Sequence, residues 1–467
     1  EIPKVHGQTI GFRSFLKTND IFETNFEYHH MEEFRRGGDL LNRPPHEANV
    51  AEQTEHSING GGLKFDYFSP NENHRFNVFV SAQHINRDSY YGPGDRDPLD
   101  AYGNTTDLNW MAGSQYVYSF GKCIFMPSDL TAGIEFNQDK LEDNMWGYNR
   151  TVDQKVNIGS AFLQNEWKND HWGFLIGGRL DKHNLIDHVI FSPRANLRYN
   201  PTENINLRFS YSSGFRAPQA FDEDLHVENV GGNVAMVELA DNLKEERSQS
   251  LSASADIYHR FGAFQVNFLV EGFYTKLSDV FALTDGEVVD GILTRTRHNA
   301  SGAQVLGLTL EGKMAYLNKI QVQAGVTLQQ SHYSKPHIWN KEAPAVKKMM
   351  RTPNTYGYFT ATYTPIKPLS IALSGTYTGS MLVPHEPVPG FLENPITVNT
   401  KDFFDIGLKA AYDFKLYKSM NLQLNAGIQN IFNAYQDDFD KGADRDSGYI
   451  YGPSLPRSFF AGVKISY

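Results

Sequence analysis

The densest run of side chains able to do chemistry is Asp437-Asp438-Phe439-Asp440-Lys441-Gly442-Ala443-Asp444-Arg445-Asp446. Carboxylate oxygens at such short spacing are the ligands calcium takes. Lys441 and Arg445 interrupt the run, however, and no bidentate glutamate follows where one would close the shell, so a solvated or salt-bridged loop is the expectation. A second acidic stretch holds Asp222, Glu223, Asp224, Glu228, Glu238, Asp241 and Glu245 within one long connection, the kind of segment that contacts a substrate or covers it. Tyr90, Tyr91, Tyr333 and Trp339 offer flat rings that can pack on a macrocycle or an aromatic chelate. His29-His30, His332 and His337 are singles or a pair, with no metal-ligand spacing between them. No Ser-His-Asp order, no glycine-rich phosphate loop and no zinc pattern is legible. Cys123 is the sole cysteine, so neither an internal disulfide nor a cysteine cluster enters. These residues point to binding without an enzyme's chemistry, and no cofactor or resident metal is called for.

The elements that must position them read as strands. Phe459, Ala461, Val463, Ile465 and Tyr467 alternate with Phe460, Gly462, Lys464 and Ser466; Leu422, Leu424, Ala426 and Ile428 alternate with Asn421, Gln423, Asn425, Gly427 and Gln429. Period two of this kind has no helical reading. The same pattern recurs around Ile205–Tyr211, Ile320–Leu328, Leu369–Leu373 and Phe404–Phe414. Connections come in two kinds. Tight turns are predicted at 70–73, 169–170, 201–204, 365–368 and 417–419, and long polar loops at about 36–53, 89–105, 216–245, 336–350, 383–399 and 436–453. Short turns at one end and long loops at the other are the asymmetry of an outer-membrane barrel. Trp167, Trp172, Tyr363 and Tyr467, near strand ends, suit the aromatic girdles at a membrane interface.

Composition agrees with this and removes other classes. The chain has 467 residues, 43 basic against 54 acidic, which gives a net charge of −11 and no basic patch for nucleic acid. A mean hydropathy of −0.47 still permits a membrane protein, because strand alternation dilutes every apolar position with a polar neighbour. No stretch reaches the ~18 consecutive apolar residues of a spanning helix. The fold class predicted is therefore all-β, a transmembrane antiparallel β-barrel. Lipid offers no hydrogen-bond partner to a strand edge, so the ring must close. About 19 strands can be assigned, an odd number where bacterial barrels are even. With the last strand running inward, counting back places the first near 10–18 also running inward, so residues 1–467 are expected to be a barrel domain preceded by further strands, about 22 in all.

Several strings resemble the TonB-dependent outer-membrane transporters, in the form found in Bacteroidota. Asn430-Ile431-Phe432-Asn433-Ala434-Tyr435, then Tyr451-Gly452-Pro453-Ser454-Leu455-Pro456-Arg457 and a final strand ending in Tyr467, is similar to that family's terminal signature. Ser213-Gly214-Phe215-Arg216-Ala217-Pro218, followed by Phe221-Asp222-Glu223-Asp224-Leu225, resembles its strand-to-loop motif. The resemblance covers the barrel alone; the family's N-terminal plug and coupling box have no counterpart in this sequence.

What the resemblance implies is active import of a scarce, large chelate (cobalamin, haem or a ferric siderophore) across the outer membrane of a Gram-negative cell. The implied partners are a plug domain, the TonB–ExbB–ExbD inner-membrane motor, the barrel assembly machinery reading Tyr467, and the lipid bilayer. It also implies candidate ligand contacts: Arg216 and His226 beyond the motif, with Tyr90, Tyr91, Tyr333 and Trp339. His226 can be read as a haem-ligating loop histidine. Alternatively, Arg216 and Pro218 fix the strand exit, with Arg216 paired to an acidic residue of its own loop; the Asn-Pro companion of haem-type members is missing. The rival functions are a passive porin and a glycan importer working with a surface lipoprotein.

Overall fold

The computed structural model describes residues 3–93, 101–230, 233–417, 419–442, 444–453 and 455–466. Nineteen strands run as one antiparallel meander, from Lys4–Lys17 to Ser458–Ser466, each hydrogen-bonded to the next in sequence around the wall. A twentieth, Val346–Lys348, adds three residues beside Ile320–His337. Lengths among the nineteen range from nine residues in Ser458–Ser466 to 22 in Tyr102–Cys123. The expected count of about 19 and the all-β class are both observed. No helix is long and apolar enough to cross a membrane among the described residues.

Alternation explains the wall. Phe459, Val463 and Ile465 are 73%, 67% and 66% exposed, and Ile134, Leu163, Ile176 and Phe191 share that exposure on neighbouring strands. In water each such side chain would forgo about 1.5–3 kcal/mol of burial. Against hydrocarbon that loss disappears, so an outward apolar face is stable only in a bilayer. The opposite face carries Arg13 with Glu27, Arg179 with Glu135 and Asp181, and Lys313 with Glu311, ion pairs that need a wet interior.

All five predicted tight turns join neighbouring strands. Glu72 in the first takes φ +58°, a left-handed conformation that a short link demands. Four more short links, at 18–21, 124–125, 262–263 and 317–319, were not expected; Ile124, Gly262 and Leu317 supply a positive φ in the last three. Near these turns Phe125 stacks on Trp167 at 5.6 Å, while Trp172 stacks on Phe174 at 5.7 Å and on Tyr199 at 4.2 Å. Trp167 and Trp172 thus stand in a ladder of rings at the short-turn rim. Tyr363 is exposed near a strand end, and Tyr467 lies outside the described residues.

At the other rim the loops are not irregular. Residues 279–302, assigned no long loop from sequence, form the hairpin Phe281–Val289 and Ile292–Asn299. Segment Asn233–Leu239, from the 217–245 connection, pairs parallel to Ile292–Asn299 and antiparallel to Glu228–Val230. A four-stranded sheet drawn from two loops therefore sits above the wall. A second hairpin, Leu382–His385 with Ile396–Asn399, organises the 379–402 loop.

Candidate functional site

Strand Ile205–Arg216 delivers the 217–245 loop to the mouth of the barrel, and Pro218 cannot continue the ladder. Arg216 then pairs with Glu223 at 2.6 Å and lies over the Phe221 ring at 4.1 Å. Residues Asp222–Leu225 make a single helical turn in which Asp224 accepts the Phe221 N–H at 2.8 Å.

Arginines from separate elements grip that turn. Arg87 reaches Asp222 at 2.7 Å and donates to the Thr105 hydroxyl at 3.1 Å. Arg150 donates to the Leu225 carbonyl at 2.8 Å and the Asp224 carbonyl at 3.3 Å, and pairs with Asp143 at 2.8 Å. Asp143, 1% exposed, also accepts from Thr105 and lies 3.7 Å from Arg87. From the extracellular sheet Arg297 pairs with Glu223 at 3.1 Å and with Asp224. Burial opposes ionisation of Glu223, yet Arg216 and Arg297 hold its carboxyl below the usual range; for Asp224 burial wins and pushes it up. The turn is therefore clamped from below by wall residues and from above by the loop sheet.

Under the clamp lies a cavity of about 960 Å³. Its lining includes Tyr91, Phe221, Asp222 and His226 beside the clamped turn, and Glu52, His56, Arg87, Asp107 and Asp139 from the wall. His226 meets the Tyr91 ring edge-on at 5.1 Å and places Nδ1 3.7 Å from Glu52. A flat or rounded ligand entering here would meet one aromatic wall and a belt of charge. A second hollow of about 500 Å³, with Thr309, Thr327, Tyr356 and Tyr358 among its lining, is set into a distant part of the wall.

Of the residues singled out from sequence, Tyr91 and His226 line the cavity, and Arg216 is one contact away through Glu223 and Phe221. Tyr90 does not join them. Successive strand residues point to opposite faces; Tyr90 packs instead against Tyr102 at 4.8 Å, whose hydroxyl bonds His46. Tyr333 sits 4.9 Å from the His337 ring, and Trp339 is buried within its own loop; neither lines the cavity. The gripping residues Arg87, Asp143, Arg150 and Arg297 were missed. Arg87, Asp143 and Arg150 stand near the loop-side ends of wall strands and Arg297 on the loop hairpin, and only the fold shows that they meet.

The acidic run is a polar knot. Asp440 accepts from His385 at 2.9 Å, Asp438 from the hydroxyls of Tyr451 at 2.6 Å and Tyr449 at 3.3 Å, and Asp437 pairs with Lys401 at 2.7 Å. Asp446 accepts the Glu386 N–H at 2.9 Å. No three His, Cys, Asp or Glu side chains are grouped to hold a metal among the described residues, and Ala443 lies outside them. Nearby, Arg295 ties Glu228 (2.7 Å), Asp285 (3.0 Å) and Glu386 (3.4 Å) together, and Asn340 donates to Glu386 at 2.9 Å. Burial and the neighbouring Asp285 push Glu386 up to about 7, against the pull of Arg295 and Asn340; burial likewise raises Asp446. Segments of several loops are thereby fastened into one cap.

The sequence profile of the family described as TonB dependent receptor-like, beta-barrel, matches residues 8–431. Among solved structures, the siderophore receptor PirA from Acinetobacter baumannii superposes with a TM-score of 0.73 at 14% identity, over 99% of this chain and 71% of that one. A variant of the ferric enterobactin receptor PfeA from Pseudomonas aeruginosa gives 0.74 at 14% identity, over 99% and 69%. The ferric citrate transporter FecA in unliganded form gives 0.69 at 13%, over 100% and 71%. At these identities the likeness is one of fold. No curated protein sequence matches the chain.

Proposed function

Because the chain belongs to the TonB-dependent receptor-like β-barrel family of the Gram-negative outer membrane, we propose that it imports a ferric siderophore or a comparable large chelate, cobalamin and haem included. The observation that carries this reading is the cavity of about 960 Å³ held under the ion-clamped turn Asp222–Leu225. That volume falls within the range of small-molecule sites. Its aromatic and charged lining can hold a chelate by contact alone; no step of bond making is part of the function.

In this reading the chain is the wall and cap of the transporter, with a plug filling the lumen and TonB–ExbB–ExbD pulling on that plug from the periplasmic side. Lys4–Lys17 and Ser458–Ser466 each have one strand partner among the described residues. Lipid cannot satisfy their remaining edges, so further strands, about three, complete the ring. His226, with Nδ1 turned toward Glu52, would contact the chelate by its ring, beside Tyr91. Tyr467 would present the terminal aromatic to the assembly machinery.

Uptake decides the matter. A deletion strain grown under iron limitation should lose accumulation of at least one radiolabelled ferric chelate, or of cobalamin, and regain it from a plasmid copy. Normal uptake of all of them in the deletion strain would refute the proposal.

A further inference from the structure

The charge balance of the cavity goes one step further, resting on the importer reading. Each arginine that lines it is already engaged. Arg35 pairs with Glu33 at 2.6 Å, Arg87 pairs with Asp222 at 2.7 Å, and Arg36 donates to the backbone carbonyls of Gly37 and Asp39. The carboxylates are not matched in the same way. Asp107 and Asp139 are neighbours on the wall, and neither meets a Lys or Arg within 4 Å among the described residues. Among the described residues, the ion-pair partner of Glu52 is His226, at 3.7 Å. Among the described residues of the lining, Glu33, Glu52, Asp107, Asp139 and Asp222 outnumber Arg35, Arg36 and Arg87, which leaves spare negative charge. Two of its polar atoms, Asp107 Oδ1 and His56 Nδ1, are also buried without a hydrogen-bond partner.

We propose that this cavity selects neutral or cationic chelates rich in amide or hydroxyl donors, the chemistry of ferric hydroxamates, and discriminates against polyanionic catecholate chelates. A polyanion would be brought against Asp107, Asp139 and Glu52 in a lining whose carboxylates outnumber its arginines among the described residues. A neutral or cationic ligand can instead give a donor to the exposed Glu52 carboxylate and take the spare charge as attraction.

The test uses the full-length receptor in detergent at low salt. Quenching of intrinsic fluorescence is followed with cationic ferrioxamine B, neutral ferrichrome and polyanionic ferric enterobactin. The hydroxamates should bind at least about tenfold more tightly than the catecholate, since each unit of ligand charge near an unpaired carboxylate is worth roughly that factor. The double variant Asp107→Asn with Asp139→Asn should shrink the preference about tenfold by the same reasoning, and Glu52→Gln should shrink it less. Thermal unfolding and heat-modified gel mobility show whether each variant is folded. Tighter binding of the enterobactin complex, or a preference unmoved in folded variants, overturns the inference and leaves import standing. Binding of none of the three, together with normal uptake in the deletion strain, overturns both.

Discussion

Replacing Arg150 by methionine tests whether the 217–230 segment is held by its ion clamp. Arg150 is 8% exposed and makes one ion pair and two bonds to backbone carbonyls of the helical turn. Breaking one side of a buried pair costs about 3–5 kcal/mol, because the remaining charge stays buried. Part of that is recovered here, since Asp143 keeps Thr105 and the more distant Arg87, and the turn keeps Arg87 on Asp222 and Arg297 on Asp224. A net local loss of about 2 kcal/mol corresponds to roughly a thirtyfold rise in the open population. Hydrogen exchange read by mass spectrometry on peptides from 217–230 should accelerate by that factor. Strands remote from the clamp, such as Met420–Gln429, serve as the internal control. Adding Asp143→Leu should slow exchange again, because an apolar pair restores the balance that one orphan charge upsets. If exchange in 217–230 changes less than threefold, or if the control strands accelerate equally, the clamp is not what holds the loop.

Other outcomes follow from the same geometry. Glu386 has a folded-state pKa raised to about 7, so protonation favours the folded cap; its contribution is full below the unfolded value near 4.5 and is lost as pH rises toward 7. Exchange around 382–388 should be slower at pH 5 than at pH 8 after correction for intrinsic rates, and Glu386→Gln should shrink that difference, leaving the part that Asp446 contributes; a cap steadier at pH 8 would contradict it. Tyr91→Ala should weaken chelate binding with a modest change in melting temperature, whereas Tyr90→Ala, which empties a packed site beside Tyr102, should cost about 3–5 kcal/mol of stability by denaturant titration and leave the affinity of the folded fraction unchanged. Ile134→Arg places a charge on the lipid face and should cost about 2–4 kcal/mol in a refolding assay in lipid, if it stands near the bilayer midplane; a loss below about 1 kcal/mol would place that face away from hydrocarbon.

The wall was legible because its signal is local. Phe459, Val463 and Ile465 announce their face within a few residues, and the links at 70–73 and 417–419 lie between alternating runs that any reading would separate. The cap was not legible, because its bonds join residues far apart in sequence. Arg87 meets Asp222 across 135 positions, and Asn340 meets Glu386 across 46. Tyr90 and Tyr91 were read as part of the 89–105 loop, so alternation was not applied to them; strand His74–Pro93 extends through both and turns them to opposite faces. The pairing of Arg216 with Glu223 was the reverse case, a loop acid seven residues away, short enough for chain geometry to suggest it.

The parallel ladder from Val234↔Ile292 to Leu239↔Arg297 has a practical side. Two hairpin tops that diverge freely in most barrels are here stitched into a single cassette, since a one-residue slip in either would turn every facing side chain of the other. Transplanting one of them onto another receptor, or shuffling it for altered recognition, should fail unless its mate travels with it, and insertions are tolerable only outside the stitched rungs.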